Sequence, residues 1–259
     1  MNKEYKSFYF LHIPKTGGRA FRENIVVKLY EDLENKGLST IFSLLTFRSK
    51  HVLFSARSTH AGWHKDIDDD TYVVTLFRDP IKQSVSLFAH IHDTESLNMP
   101  EGGTKTKNTD LSRVSKEDYL NWLIENPIFQ NIQFKNFLAP NSPSVYSDLE
   151  ESIFYEKLSG FAKNKDISIK SGMKRVNQVN IMVDADQLTN ENMIKIYHKI
   201  CNDLDIEPSQ IDFVDTELFR NSTSDYIYNQ LSDDEKGILR RILYLDYMIY
   251  DNKSLFTIL

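Results

Sequence analysis

The stretch Phe8-Tyr9-Phe10-Leu11-His12-Ile13-Pro14-Lys15-Thr16-Gly17-Gly18 decides the fold class of this chain. Phe8 to Ile13 is a short apolar and aromatic run with the length and composition of a buried strand. Pro14 to Gly18 reads as the turn that ends it. Beyond the glycines, Phe21, Ile25, Leu29 and Leu33 recur at every fourth position, which predicts an amphipathic helix. Strand, glycine turn and helix, in that order, is an arrangement that binds phosphate. Gly17 and Gly18 let backbone N–H groups converge, because no Cβ blocks the approach or the positive φ angles. The helix start adds free N–H groups and the positive end of its dipole, and Lys15 sets a full charge beside them.

Residue order narrows the class further. A Walker A loop is G-x-x-x-x-G-K-[ST], with its lysine after the glycines. Here Lys15 precedes them and no glycine stands upstream. A standard ATP or GTP loop is therefore not expected. A plain strand–helix turn with a surface lysine would share the local pattern, so a second site is needed to decide.

That second site follows the strongest strand signal in the chain, Tyr72 to Phe77, which is β-branched and apolar throughout. Arg78 ends it. Asp79-Pro80 then marks a helix start, since Asp is a good N-cap and the N–H that Pro lacks has no partner at the first helical position. The helix should run through Ile81, Val85 and Phe88. Ser86, two turns past the cap, faces the same side as the helix start. An arginine and a hydroxyl from adjacent elements can then grip one phosphate.

The remaining pattern alternates in the same way. Val52 to Phe54 is a weaker strand candidate, and Asn180 to Val183 a further one. Ser115 and Asp118 have capping-box spacing before Tyr119, Leu120 and Leu123, and Asn126-Pro127 ends that helix. Met193, Tyr197, Ile200 and Leu204 share a helical face. Ser232 and Glu235 form a second capping box before Ile238, Leu239, Ile242 and Leu243. Residues 98–116 and the basic, glycine-containing segment 163–175 read as loops. The whole predicts a single α/β domain over residues 1–259, with a mainly parallel central sheet flanked by helices in a P-loop-like nucleotide-binding fold.

His12 to Gly18 resembles the 5′-phosphosulfate loop of sulfotransferases that use 3′-phosphoadenosine 5′-phosphosulfate (PAPS). The likeness is to the carbohydrate-type branch, which includes heparan 2-O-sulfotransferase-like enzymes. The run Thr75-Leu76-Phe77-Arg78-Asp79-Pro80 through Ser86 is similar to the 3′-phosphate motif of the same family. Asn131-Ile132-Gln133, with Phe137-Leu138 after it, looks like the family's Asn-x-Gln segment. Asn221-Ser222, and Leu245-Asp246 through Tyr250-Asp251, look like its C-terminal pattern. The chain departs from the family in two places. Arg19-Ala20 stands where the family carries a hydroxyl pair, so Arg19 would make a charge-assisted contact in its stead. Gln83 stands where the family often has arginine.

The resemblance implies a donor, PAPS, and a product, 3′-phosphoadenosine 5′-phosphate (PAP). It implies that Lys15, Thr16, Gly17, Gly18 and Arg19 hold the 5′ end and that Arg78 and Ser86 hold the 3′-phosphate. It also implies an acceptor hydroxyl, on a carbohydrate or glycan. Sulfuryl transfer needs alignment of acceptor oxygen, sulfur and leaving oxygen, and neutralisation of the leaving phosphate, for which Lys15 is placed. Its base would come from the segment holding His60 and His64, with His60 first, His64 second and Glu31 or Glu34 behind them. His12 reads as structural, and His90 and His92 as closing the helix that follows Arg78. Trp63 suits either a sugar face or the core. Lys105, Lys107 and Arg113, or Lys170, Lys174 and Arg175, suit either an anionic acceptor or solvent.

Composition sets the outer limits. With 259 residues, 41% hydrophobic and 26% charged, the chain has an ordinary globular make-up. A net charge of -6 argues against a general nucleic-acid binder. Cys201 is the only cysteine, so neither an intramolecular disulfide nor a multi-cysteine metal site can form. No metal site is expected, and the Asp66–Asp70 run reads as a solvated acidic turn. No run has the length of a membrane span and the first residues lack a signal-peptide core, so a cytoplasmic protein is expected. Two other function classes use the same strand–loop–helix: a nucleotide-dependent kinase or phosphotransferase, and a non-catalytic nucleotide-binding module.

Overall fold

The structure, a computed structural model, describes residues 5, 7–29, 32, 63, 67–96, 115–138, 165–211 and 222–257. Its centre is a parallel sheet of β1 (Ser7–Leu11), β2 (Thr71–Phe77) and β3 (Ile181–Asp184), in the order β1-β2-β3. Phe8 pairs with Tyr72 and Phe10 with Val74, while Val74 pairs in turn with Ile181. β2 is buried along its whole length, which accounts for its unbroken apolar sequence. The chain is thus α/β, with a three-stranded parallel sheet flanked by helices. The Val52–Phe54 strand candidate lies outside the described residues.

Alternate side chains leave opposite faces of the sheet. Phe8, Phe10, Tyr72, Val74, Leu76, Ile181 and Val183 point to one face. Two helices cover it. One begins as α1 (Gly18–Phe21), and the other is α6 (Asn190–Asp203), whose Met193, Tyr197 and Ile200 pack inward as their spacing predicts. The first carries Phe21, Ile25 and Leu29, all fully buried. It widens into a π-helical turn over Arg22–Val26, where the buried Asn24 amide donates to the Ala20 carbonyl at 3.0 Å and takes the acceptor of an ordinary α-helical bond.

Tyr9, Leu11, Val73, Phe77 and Met182 fill the other face, against α4 (Ile132–Lys135), α5 (Lys165–Val176) and α9 (Tyr244–Tyr250). A further core lies beside the sheet. There α2 (Pro80–Ser96) packs on α3 (Lys116–Glu125), α7 (Ser222–Gln230) and α8 (Asp233–Ile242) through Val85, Phe88, Tyr119, Ile227 and Leu239. Each such buried side chain contributes about 1.5–3 kcal/mol by leaving water.

The helix-start signals hold as local chemistry. Asp79 Oδ1 accepts from the Lys82 N–H at 3.0 Å, and both capping boxes, Ser115–Asp118 and Ser232–Glu235, close reciprocally. Three expectations are corrected. The 163–175 segment is not a loop, because α5 runs through it. Its glycine serves packing: a Cβ on Gly172 would meet Phe134 Cζ at 2.6 Å and Leu138 Cδ2 at 2.9 Å. Lys116 belongs to α3 and pairs with Glu235 across to α8; residues 98–114 lie outside the described residues. Ile238 is 47% exposed, since the inward face of α8 runs through Leu239 and on to Leu243. No described helix is long and apolar enough to cross a membrane.

Candidate functional site

The C-terminal ends of the strands bring the Lys15–Gly18 loop and the Arg78–Ser86 segment together. After β1 the chain passes through buried His12 and Ile13 into the Lys15–Gly18 loop. Lys15 has φ 64° and Gly17 has φ 77°, while Thr16 and Gly18 stay on the negative side. Alternating signs of φ turn successive N–H groups toward one side, the geometry of an anion nest. Positive φ at a non-glycine residue is uncommon, and strain of that kind concentrates at binding sites. The Thr16 hydroxyl donates to the Ile13 carbonyl at 2.9 Å and is fully buried. The Thr16 side chain is therefore turned inward and braces the turn against the end of β1.

The two glycines are needed for different reasons. Gly17 takes the positive φ and approaches the turn after β3, so that a Cβ there would lie 3.3 Å from Leu188 Cδ1. A Cβ on Gly18 would fall within the His12 ring. That ring is buried and stacks on Phe10, with centroids 5.6 Å apart, so it cannot easily give way. His12 is the floor of the loop, in keeping with its structural reading. Arg19 lies in the first turn of α1.

Arg78 leaves β2 toward the same end. Its backbone N–H donates to Gln133 Oε1 and its carbonyl accepts from Gln133 Nε2, both at 2.9 Å. Its Nε donates to Asp186 Oδ1 at 3.2 Å, and Lys82 Nζ donates to Asp186 Oδ2 at 2.7 Å. Desolvation lowers the Lys82 ammonium, but the hydrogen bond and charge of Asp186 outweigh it and the net shift is upward. Gln83, only 1% exposed, donates from Nε2 to the Pro14 carbonyl at 2.9 Å. α2 is thereby bonded directly to the loop after β1. Ser86 follows Gln83 by one turn on the same helix face and is almost wholly buried.

The Asn131–Gln133 and Leu245–Asp246 segments also meet. Asn131, at φ 55°, accepts from the Leu245 and Asp246 N–H groups and donates to the Ile242 carbonyl. Asp246 in turn accepts from Phe134 N at 2.7 Å and Gln133 N at 3.4 Å. A continuous set of bonds therefore runs from α9 through Gln133 to the backbone of Arg78. Burial pushes the Asp246 carboxyl up to about 7, against the Phe134 and Gln133 N–H groups and the Lys135 charge. Desolvation pulls Lys135 down to about 8, opposed by Asp246.

An acid raised on folding stabilises most fully below its unfolded value. That contribution is lost as pH rises toward the folded value, here between about 4 and 7. Asp246→Asn keeps one oxygen for the Phe134 N–H and removes the titration. The stability of the variant relative to the native chain is expected to rise by roughly 1.4 kcal/mol per pH unit across that window. Denaturant melts of both proteins at several pH values check it; a difference that stays constant with pH contradicts it.

Other sequence candidates fall differently. His60 and His64 lie outside the described residues, as do Glu31, Glu34, Lys105, Lys107, Arg113 and Asn221. Trp63 is in the core: it is 4% exposed, its ring centroid lies 6.2 Å from that of Phe137, and its backbone N–H donates to the Asn136 carbonyl at 2.7 Å. Its indole is thus a packing group and not a sugar platform. His90 and His92 do not close α2, which continues to Ser96. Lys170 and Lys174 are exposed on α5, whereas Arg175 Nη1 bonds the Phe137 and Leu138 carbonyls and holds the end of α4. Asp68 organises the acidic turn by accepting from Asp70 N and the Thr71 hydroxyl.

Gln83, Lys82, Gln133 and Asp186 are the residues whose roles the sequence did not disclose. Gln83 stood out only as a departure from arginine and Gln133 only within the Asn131–Gln133 segment, while nothing in the sequence pointed to Lys82 or Asp186. No protein-family model matches the chain, and no curated protein matches it significantly.

Proposed function

We propose that this chain is a sulfotransferase that moves the sulfuryl group of PAPS to an acceptor hydroxyl, with a carbohydrate or glycan as the acceptor class. The observation that carries the reading is the 2.9 Å bond from Gln83 to the Pro14 carbonyl. It ties the loop of the first motif to the helix of the second, as a donor with phosphates at both 5′ and 3′ ends requires. The alternating φ signs of the loop and the closeness of Gly18 to His12 further favour a backbone cradle.

In this reading Lys15, with the N–H groups of Thr16, Gly17 and Gly18 and the Arg19 side chain, neutralises the phosphate that leaves. Arg78 and Ser86 hold the 3′-phosphate. His60 or His64 takes the acceptor proton as the acceptor oxygen bonds to sulfur and the bond from sulfur to the 5′-phosphate oxygen breaks. The donor brings its own activated group, so the protein's task is alignment and charge neutralisation.

The test is radiolabelled transfer from PAPS to a panel of glycans and small alcohols, alongside binding of PAP and of ATP with magnesium. Transfer to at least one hydroxyl acceptor, with PAP bound more tightly than ATP with magnesium, is the expected result. PAP binding without transfer to any acceptor would identify a non-catalytic nucleotide-binding module. Tighter binding of ATP with magnesium would identify a phosphotransferase. Absence of both transfer and PAP binding would sink the reading.

A further inference from the structure

We propose that Arg78 and Lys82 form a two-cation clamp for the 3′-phosphate, and that Asp186 is its built-in competitor, an internal carboxylate that the phosphate must displace. This rests on the sulfotransferase reading and adds to it a binding residue, Lys82, and a selectivity device, Asp186.

The argument is geometric. Arg78 lies at the end of β2 and Lys82 in the first turn of α2, yet both direct a donor at one carboxylate. The bonds are 3.2 Å from Arg78 Nε and 2.7 Å from Lys82 Nζ, one to each Asp186 oxygen. Two cations that share the two oxygens of one acid define an oxyanion position. Phosphate oxygens are spaced much like those of a carboxylate and carry more charge. Arg78 engages Asp186 through Nε, which leaves its terminal N–H groups as further donors. Lys82 is steadied from another side, its Nζ lying 5.6 Å from the centroid of the Tyr228 ring on α7. Lys236 approaches the same ring at 4.8 Å and adds positive charge nearby.

Asp186 has the properties of a displaceable group. It sits on the short 3-10 turn Ala185–Gln187 that follows β3. It is about one-third exposed, as is Lys82, so the pairs are solvated and individually weak. The same turn borders the phosphate loop, since Leu188 and Ala185 lie against Gly17. A ligand spanning the loop and Arg78 therefore meets the Asp186 turn. A nucleotide without a 3′-phosphate leaves the carboxylate where it is and gains nothing from the clamp. A 3′-phosphorylated nucleotide replaces it with a more highly charged partner. Selection between the two then comes from one local exchange of anions.

The experiment is titration calorimetry of the native chain, Asp186→Asn and Lys82→Ala with PAP and with adenosine 5′-phosphate, which lacks the 3′ group. Asp186→Asn is expected to tighten PAP roughly fivefold and Lys82→Ala to weaken it roughly tenfold. Neither should move adenosine 5′-phosphate by more than about twofold. If Asp186→Asn weakens PAP, Asp186 orients the cations and the competitor role is wrong. If Lys82→Ala leaves PAP unchanged, or both nucleotides shift together, the clamp is wrong while the sulfotransferase reading stands. If PAP binds none of the three proteins, both fall.

Discussion

Lys15→Ala is expected to lower the rate of sulfuryl transfer by roughly a thousandfold, the scale on which removal of one preorganised charge-stabilising group acts. Lys15 stands in the loop with φ 64°, beside the N–H groups that turn toward one side. In the proposed reaction its ammonium opposes the negative charge that grows as the bond to the leaving phosphate breaks. The loss should fall mainly on kcat, because the charge matters most in the transition state. PAP binding should weaken by about tenfold. The fold should be little affected: the residue is partly exposed, and alanine meets the same backbone cost at positive φ as lysine does. Steady-state transfer from PAPS and a thermal melt of the same sample check both halves. Native turnover in the variant would remove Lys15 from the mechanism.

Gln133→Ala is expected to destabilise the chain by roughly 3 kcal/mol and to weaken PAP binding at least about tenfold. Its amide is the partner of both the N–H and the carbonyl of Arg78, and the residue is fully buried. Deleting it leaves two backbone groups without those bonds at the point where β2 passes into α2. In a chain of this size the melting temperature should fall by roughly 6–12 °C. Gln133→Leu separates the causes. It keeps most of the volume and loses the amide, so it should cost nearly as much if the hydrogen bonds matter and little if packing does. A Gln133→Leu protein with native stability and native PAP affinity would show that Arg78 needs no such clamp.

These two residues differ in how far sequence could anticipate them. The place of Lys15 in the turn between β1 and α1 was legible from its neighbours, a strand before and glycines after. Arg78 and Ser86 were legible for the same reason, as a strand end and a position two turns past the Asp79 cap. Gln133 was only half legible. The Asn131–Gln133 and Leu245–Asp246 words were visible, but nothing local tied one to the other or either to Arg78. Gln83 read as a departure from the usual arginine, whereas it is the side chain that joins the two motifs.

The errors have physical causes as well. The 163–175 segment is polar and holds a glycine, both marks of a loop. In α5 that glycine is required by close contact with Phe134 and Leu138, a demand from another part of the chain. Trp63 is an aromatic residue between two histidines, and no rule of spacing separates a sugar platform from a core residue. Packing against Phe137 and the bond to the Asn136 carbonyl settle it as core.

By itself, then, the sequence determined the parallel α/β class, the strand–loop–helix, and the helix starts at Asp79, Ser115 and Ser232. Those features depend on interactions between residues a few positions apart, namely periodicity, capping and allowed φ. Tertiary structure alone decided that Gln83 bonds Pro14 across 69 positions, that Gln133 clamps Arg78 across 55, and that Asp186 meets Arg78 across 108. Such bonds join side chains to groups whose nearness is created by the sheet order. A glutamine or an aspartate can serve many partners, and only the fold selects which one stands within reach.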